Sequence, residues 1–207
     1  ARRGRTLRLV FSCARHGSRA HAARSRRVRS LRYNLRVGAV ITSIERSGLA
    51  PLTKFRVPRE RGDTIARERV LGALQASVAA NPLTMVVAPG GSGKTTALAQ
   101  LAAALRGSHA VLWIALDRED DDPNRFYAAL VAAVSPLELR WDVDPRGLLA
   151  GVDSDPSRRR AAVAALVNAL CTAAAPRIAL ILDDLHRIED RGVHELFGSL
   201  LERLPEH

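Results

Sequence analysis

A glycine-rich segment that ends in lysine and threonine contains the residues of this chain best suited to chemistry. The segment and the residue after it are Ala88, Pro89, Gly90, Gly91, Ser92, Gly93, Lys94, Thr95 and Thr96. Their order matches the phosphate-loop pattern, with alanine in place of the first glycine. The glycines allow the backbone to turn its N–H groups around a β-phosphate, and the helix that follows points its positive end at the same anion.

Two side chains at the end of this segment have separate predicted roles. The ammonium of Lys94 can reach the β- and γ-phosphates of a nucleotide, which makes it a candidate catalytic residue as well as a binding residue. The hydroxyl of Thr95 is placed to ligate Mg²⁺. The segment therefore predicts a nucleotide and magnesium site rather than a plain turn between a strand and a helix.

A second chemical signal is an apolar run that ends in two acids. Residues 178–184 read Ile-Ala-Leu-Ile-Leu-Asp-Asp. Ligands of open α/β sheets bind at the carboxyl ends of the strands, so Asp183 is predicted to hold Mg²⁺, usually through water. Asp184 is a candidate catalytic residue that orients or polarises the attacking water. The alternative is that Asp184 only caps the next segment.

Four further residues are weaker candidates, each with an ordinary structural alternative. Asp117 is predicted at the same edge of the sheet, where it either touches the water shell of magnesium or is simply solvated. His186 either senses the γ-phosphate or is structural. Arg67 and Arg69 precede the loop by about one helix and one strand, and one of them is a candidate for lining the adenine.

Alternating helices and apolar strands are predicted around these residues. Apolar residues three to four positions apart predict helices over residues 65–80, 94–105, 123–134, 158–173 and 193–204. Short apolar runs predict buried strands over residues 83–88, 110–116 and 178–182. Strands that are apolar throughout and alternate with helices are typical of a parallel sheet covered on both faces. The predicted fold class is therefore α/β, a three-layer domain with a parallel sheet.

Composition and charge exclude several classes of protein. The chain has 207 residues, of which 47% are hydrophobic, and its two cysteines exclude a disulfide scaffold and fit a reducing, cytoplasmic setting. No run of about 18 apolar residues occurs, so no membrane-spanning helix is predicted. The net charge of +11 is uneven, because residues 1–49 contain 13 arginines and a single acid, Glu45. The rest of the chain is close to neutral, so its charge gives no argument for binding nucleic acid.

The arginine-rich residues 1–49 are interpreted as a basic leader that is mostly disordered. Like charges repel, and the apolar residues show no sustained period, so no element facing the core is predicted there. Residues 7–13 are too short for the apolar part of a secretory signal and are interrupted by Arg8. The alternatives are a leader without function, an arm that binds nucleic acid, and an organellar transit peptide.

Taken together, the motifs resemble one known family over residues 52–207. They read TKFRVPR at 53–59, IARERVL at 65–71, VVAPGGSGKTT at 86–96, VLWIALD at 111–117, DDPNRFY at 121–127 and LILDDLH at 180–186. This order is similar to that in the N-terminal ATPase module of large LuxR-type, maltose-regulator-like transcriptional activators. Those activators belong to the STAND class of signal-transduction P-loop ATPases.

The resemblance implies a function for each part of the chain. ATP or ADP would bind at the phosphate loop with Mg²⁺, and Ile65 and Arg67 would lie near the adenine. Hydrolysis would be slow and would reset a switch, and ATP together with an inducer would favour a self-associated form that activates transcription. DNA would be bound only through a helix-turn-helix domain absent from this chain.

The resemblance also implies that the chain is incomplete. The family pattern continues after residue 207 into a further strand with a polar γ-phosphate sensor. Residues 50–207 are therefore expected to be the N-terminal part of a P-loop NTPase domain, with three core strands. The alternatives to a regulatory switch are a stand-alone P-loop ATPase or small kinase, and a nucleic-acid binder that acts through residues 1–49.

Overall fold

A parallel sheet of four strands lies at the centre of the fold. The computed structural model describes residues 6–14, 51–59, 65–149, 151–175 and 177–204. The strands are β1 (Thr6–Ala14), β2 (Leu83–Ala88), β3 (Ala110–Ala115) and β4 (Arg177–Asp183). Their spatial order is β2-β1-β4-β3, and every pair of neighbours is parallel. The carboxyl ends of the four strands therefore meet at one edge of the sheet.

In the described ranges, five α-helices lie between and after the strands in the sequence. They are α1 (Glu68–Ala80), α2 (Lys94–Leu105), α3 (Pro123–Val134), α4 (Pro156–Leu170) and α5 (Arg191–Glu202). The five predicted helices and the three predicted strands are confirmed, and their ends differ from the predicted ones by at most about three residues. Among the described residues, no helix combines the length and apolar character needed to cross a membrane.

Aspartates that precede α3, α4 and α5 explain why these helices begin where they do. Asp122 accepts a hydrogen bond of 2.8 Å from the amide of Arg125, and proline occupies the first position of the helix. Asp155 and Asp190 accept amide hydrogen bonds in the same way. Each carboxylate satisfies an N–H group that the helix itself leaves unpaired, which fixes the start of the helix.

Helices cover both faces of the sheet, which confirms the predicted three-layer α/β arrangement. On one face, Val10, Trp113 and Ile181 pack with Leu98 and Leu101 of α2 and with residues of α1. On the other face, the alternate residues of β1, β3 and β4 pack against α3, α4 and α5 in a larger cluster. Because side chains alternate along a strand, the inner strands contribute to both cores.

The position of β1 corrects the interpretation of residues 1–49 as a leader without core-facing elements. β1 pairs with β2 on one side and β4 on the other, so it lies inside the sheet. Leu7, Leu9, Val10 and Phe11 are at most 8% exposed. The described sheet therefore has four strands rather than the three predicted, and the fourth comes from the amino-terminal segment.

Arg8 is the residue that concealed this strand in the sequence. Its guanidinium donates a hydrogen bond of 3.0 Å to the carbonyl of Ala79 in the last turn of α1, where a cation is favourable. Burial, with a smaller contribution from Arg177, lowers the pKa of Arg8. The hydrogen bond to Ala79 therefore offsets only part of the cost of burying Arg8, whose Nη1 has no hydrogen-bond partner among the described residues. The other residues of the predicted leader, 1–5 and 15–49, lie outside the described residues.

Candidate nucleotide-binding site

The phosphate loop joins β2 to α2 at the carboxyl edge of the sheet. β2 ends at Ala88 and α2 begins at Lys94. Gly91 and Gly93 have φ angles of 73° and 81°, in the left-handed region that favours glycine. Gly93 is also the residue that immediately precedes α2. These two glycines allow the chain to turn directly from the strand into the helix, whose first N–H groups have no partner within the helix.

The rest of the loop combines accessible backbone with one unused polar group. Pro89, Gly90 and Thr96 are exposed, and a Cβ built on Gly90 would meet no atom within 4 Å. The buried hydroxyl of Ser92 has no hydrogen-bond partner within the described ranges. An unpaired buried hydroxyl is unfavourable, so this group suits a site that a ligand completes.

Lys94 folds back onto its own loop. Its ammonium donates hydrogen bonds of 3.0 Å to the carbonyl of Ala88 and 2.9 Å to the carbonyl of Pro89. In the part of the chain that the structure describes, its charge is not paired with any carboxylate. Carbonyl oxygens only partly compensate a full positive charge, so the ammonium can exchange them for an anionic phosphate.

Thr95 and Asp183 meet where α2 begins and β4 ends. The Thr95 hydroxyl donates a hydrogen bond of 2.7 Å to Oδ2 of Asp183, although the two residues are 88 positions apart in the sequence. Asp183 is only 4% exposed. The structure therefore brings together the two predicted magnesium ligands, a hydroxyl and a carboxylate, directly beside the phosphate loop.

The other oxygen of the Asp183 carboxylate contacts a residue that the sequence analysis missed. Ser12, in β1, donates a hydrogen bond of 2.5 Å to Oδ1 of Asp183. The amide of Asp184 donates to the Ser12 hydroxyl at 3.0 Å and to Oδ1 of Asp183 at 3.1 Å. Nothing in the local sequence around Ser12 marks it as a site residue, because its partners lie more than 170 residues away.

Asp184 has a left-handed backbone conformation, and its carboxylate contacts Arg187 and His186. Its φ angle is 60°, in the left-handed region, which is uncommon for a residue other than glycine. Arg187 donates from Nε to Oδ2 of Asp184 at 3.3 Å, and Nδ1 of His186 lies 3.8 Å from Oδ1. Asp184 stands at the N-cap position of the 3-10 turn over Leu185–Arg187, but its carboxylate accepts no backbone capping hydrogen bond there.

Arg67 lies against the phosphate loop, whereas Ile65 does not. The Arg67 guanidinium donates a hydrogen bond of 2.9 Å to the carbonyl of Ser92 and lies close to Gly93. Ile65 is 82% exposed, and Arg69 is also exposed. Of the residues considered for the adenine, Arg67 is thus the one that contacts the loop.

Asp117 adopts an arrangement that neither sequence alternative described. Lys54, in a 3-10 turn over Leu52–Phe55, donates to Oδ2 of Asp117 at 2.8 Å and lies 2.5 Å from Oδ2 of Asp120. Burial acts to raise the pKa of Asp117, but hydrogen bonds from Lys54 and from the amide of Glu119 outweigh it, and the pKa is lowered. For Asp120, burial dominates and the pKa is raised. Lys54 therefore ties the turn to the carboxyl end of β3.

The residues present fit a nucleotide with magnesium. The loop offers N–H groups to phosphate, together with the Lys94 ammonium and the Ser92 hydroxyl, which pair with no acid and no hydrogen-bond partner, respectively, among the described residues. The Thr95 hydroxyl and the Asp183 carboxylate are the hard oxygen ligands that Mg²⁺ prefers. A parallel sheet with this loop and this aspartate at its carboxyl edge defines the P-loop class of ATPase domains.

Comparison with known proteins identifies the family. The chain belongs to the AAA ATPase domain family, whose model matches residues 61–207. β1, which contributes Ser12, lies outside the matched residues. No solved structure matches the chain.

Curated relatives include transcriptional regulators. The HTH-type transcriptional regulator MalT of Serratia proteamaculans is 32% identical over 158 residues, which cover 75% of this chain and 16% of that protein. MalT of Cronobacter sakazakii is 32% identical over 160 residues, with the same coverage. The serine/threonine-protein kinase PknK of Mycobacterium tuberculosis is 27% identical over 158 residues, which cover 76% of this chain and 14% of that protein. The similarity to MalT confirms the resemblance drawn from the motifs, and the chain spans only about a sixth of the length of these relatives.

Proposed function

We propose that the chain binds Mg-ATP at residues 88–96 and acts as the nucleotide-dependent switch of a transcriptional regulator. The observation that carries the proposal is the hydrogen bond between Thr95 and Asp183, beside a loop whose Lys94 has no acidic partner among the described residues. Membership of the AAA ATPase domain family supports the nucleotide. Similarity to HTH-type transcriptional regulators supports the regulatory role.

The proposal gives each residue of the site a separate task. The N–H groups of the loop and the Lys94 ammonium bind the β- and γ-phosphates, for which Lys94 gives up its contacts with Ala88 and Pro89. Thr95 and Asp183 hold Mg²⁺, which supplies positive charge to the phosphates when it is bound. The adenine lies on the side of the loop where Arg67 contacts Ser92, and the exposed side chain of Ile65 is available to cover it.

The contacts of Asp184 support slow hydrolysis. To orient a water molecule and accept its proton, the Asp184 carboxylate must be available to that water. In the structure its Oδ2 accepts a hydrogen bond from Arg187, so this oxygen is not available to the water. We therefore propose that Asp184 acts only after this contact opens, so that hydrolysis resets a switch rather than turning over rapidly.

A binding titration tests the proposal. A fluorescent ATP analogue is titrated into the 207-residue chain with Mg²⁺ and with EDTA, using the parent protein, Lys94→Ala and, as a control for loss of a cation, Arg203→Ala at the end of α5. The parent and the control should bind equally, and Lys94→Ala should bind at least about tenfold more weakly, because a charge-assisted contact with phosphate is lost. Equal binding by parent and Lys94→Ala would overturn the proposed site.

The regulatory part of the proposal has its own measurement. We propose that the ATP-bound form self-associates more strongly than the ADP-bound form, and that DNA is bound through a helix-turn-helix domain outside these residues. Sedimentation velocity of the chain with Mg-ADP and with a non-hydrolysable ATP analogue compares the two forms. A larger species with the ATP analogue supports a switch, and identical sedimentation contradicts it.

A further inference from the structure

We propose that Ser12 is a positioning residue of the nucleotide site. Its hydroxyl fixes the Asp183 carboxylate and the backbone of Asp184, so that β1 completes the magnesium-holding end of the site. The inference rests on the proposed function, because Asp183 matters only if the site takes Mg-ATP. It goes beyond the AAA ATPase family match, since β1 precedes the matched residues 61–207.

The register of the sheet explains why Ser12 reaches this place. β1 pairs with β4 so that Phe11 lies opposite Leu182, and the next residues along the two strands are Ser12 and Asp183. Side chains alternate between faces, so Ser12 lies on the same face as Val10, and Asp183 on the same face as Ile181. That face is the one covered by α2, whose first turn contains Thr95.

Two hydroxyls hold the Asp183 carboxylate, one on each oxygen. Ser12 donates to Oδ1 at 2.5 Å and Thr95 donates to Oδ2 at 2.7 Å. Ser12 is fully buried and Asp183 is 4% exposed, so water does not compete for these contacts. Hydrogen bonds from neutral donors to a buried carboxylate are charge-assisted and fix its orientation.

The Ser12 hydroxyl also determines the direction in which the chain leaves β4. It accepts a hydrogen bond of 3.0 Å from the amide of Asp184, whose φ angle of 60° is otherwise unfavourable. One side chain of β1 therefore contacts both acids of the site. Partners of metal-holding residues typically contribute about 10–100-fold to metal affinity, because they orient the ligand.

The competing explanation is that Ser12 merely satisfies a buried strand end. Ser77 provides a matched control, because its hydroxyl also bonds to a partner within the fold, Thr84 at 2.9 Å, away from the phosphate loop. A purely structural role predicts that Ser12→Ala and Ser77→Ala lower the melting temperature and leave the magnesium dependence of binding unchanged. A positioning role predicts a change in magnesium dependence for Ser12→Ala alone.

The test measures ATP-analogue affinity of the full chain across a Mg²⁺ titration and in EDTA, with the melting temperature of each variant. We expect Ser12→Ala to raise the Mg²⁺ concentration needed for half-maximal binding by about tenfold and to leave the affinity in EDTA unchanged. Ser77→Ala should have the same half-maximal Mg²⁺ concentration and the same affinity in EDTA as the parent. An unchanged Mg²⁺ requirement in Ser12→Ala, with the parent magnesium-dependent, overturns the inference and leaves the proposed function intact.

A second pair of variants shows whether Ser12 acts through Asp183. On an Asp183→Ala background, Ser12→Ala should cause no further change in the Mg²⁺ requirement, since the carboxylate it orients is gone. An added change of the same size as in the parent background would contradict the inference. If Ser12→Ala is unfolded by circular dichroism, Ser12→Cys keeps the side-chain volume, weakens the hydrogen bond and is judged by the same criterion. A parent chain without Mg-ATP binding would instead overturn the proposed function itself.

Discussion

The hydroxyl of Thr95 lies 2.7 Å from Oδ2 of Asp183, which joins the first turn of α2 to the last residue of β4. Without this contact the phosphate loop and the acidic strand end would be two separate sequence signals. With it they form one site, in which a hydroxyl and a carboxylate lie together where the sequence predicts the magnesium ligands.

Replacing Thr95 by valine should raise the magnesium concentration that nucleotide binding requires. The substitution keeps the branched shape and deletes the hydroxyl that donates to Asp183. We expect the Mg²⁺ concentration for half-maximal binding to rise by about 10–100-fold, with little change in EDTA. Thr172→Val is the control, because its hydroxyl bonds to the carbonyl of Ala169, after α4 and away from the loop. A Thr95→Val protein with the parent's magnesium titration would argue against the ligand pair.

The two lysines of the chain should react very differently with amine reagents. Lys94 and Lys54 are the lysines in the sequence. The side chain of Lys54 is 5% exposed and paired with Asp117 and Asp120, whereas Lys94 is part-buried on the loop. We expect mass spectrometry to find Lys94 modified first and protected by Mg-ATP, with Lys54 modified only on unfolding. Equal rates at both lysines, or no protection of Lys94, would contradict this expectation.

Lys54→Met should destabilise the protein more than loss of a surface ion pair does. The substitution leaves the buried Asp120 carboxylate without its cation, and breaking a buried pair costs about 3 kcal/mol. Arg125→Met is the matched control, since Arg125 pairs with Glu119 in an exposed position, where the cost is below about 1 kcal/mol. Urea unfolding of both variants gives the comparison, and a cost for Lys54→Met no larger than for the control would count against a buried pair.

The helix cap at Asp155 should make stability fall in acid. Hydrogen bonds from the Ser157 hydroxyl and amide lower the pKa of Asp155 below its ordinary value of 3.8. A carboxyl with a lowered folded pKa contributes stability above its ordinary value, and the contribution is lost as the pH falls through the folded pKa. Asp155→Asn keeps the capping hydrogen bond without a titrating group. Its melting temperature should therefore fall less than the parent's between pH 6 and pH 2. An equal fall in the two proteins would show that the Asp155 carboxylate does not contribute to the acid sensitivity.

The parts of this protein that could be predicted from the sequence are those whose signals are local. The phosphate loop, the strands over residues 83–88 and 178–182 and the five helices depend on neighbours within a few residues. β1 could not be predicted, because Arg8 interrupts its apolar pattern and its hydrogen bond to Ala79 spans 71 positions. Ser12 and Lys54 were missed for the same reason, since their partners are acids 171 and 63 positions away.

The order of strands also has a consequence for how the protein is made. Among the described strands, β3 joins the sheet only through β4, and β1 is linked to β3 by the same strand. β4 follows β1, β2 and β3 in the sequence, so the ribosome has already produced these strands before β4 can pair with β1 and β3. Pairing between such distant segments is slow to form. Asp183 is the last residue of β4, so under the proposed function a nascent chain should retain Mg-ATP only after β4 has been synthesised and has paired with β1.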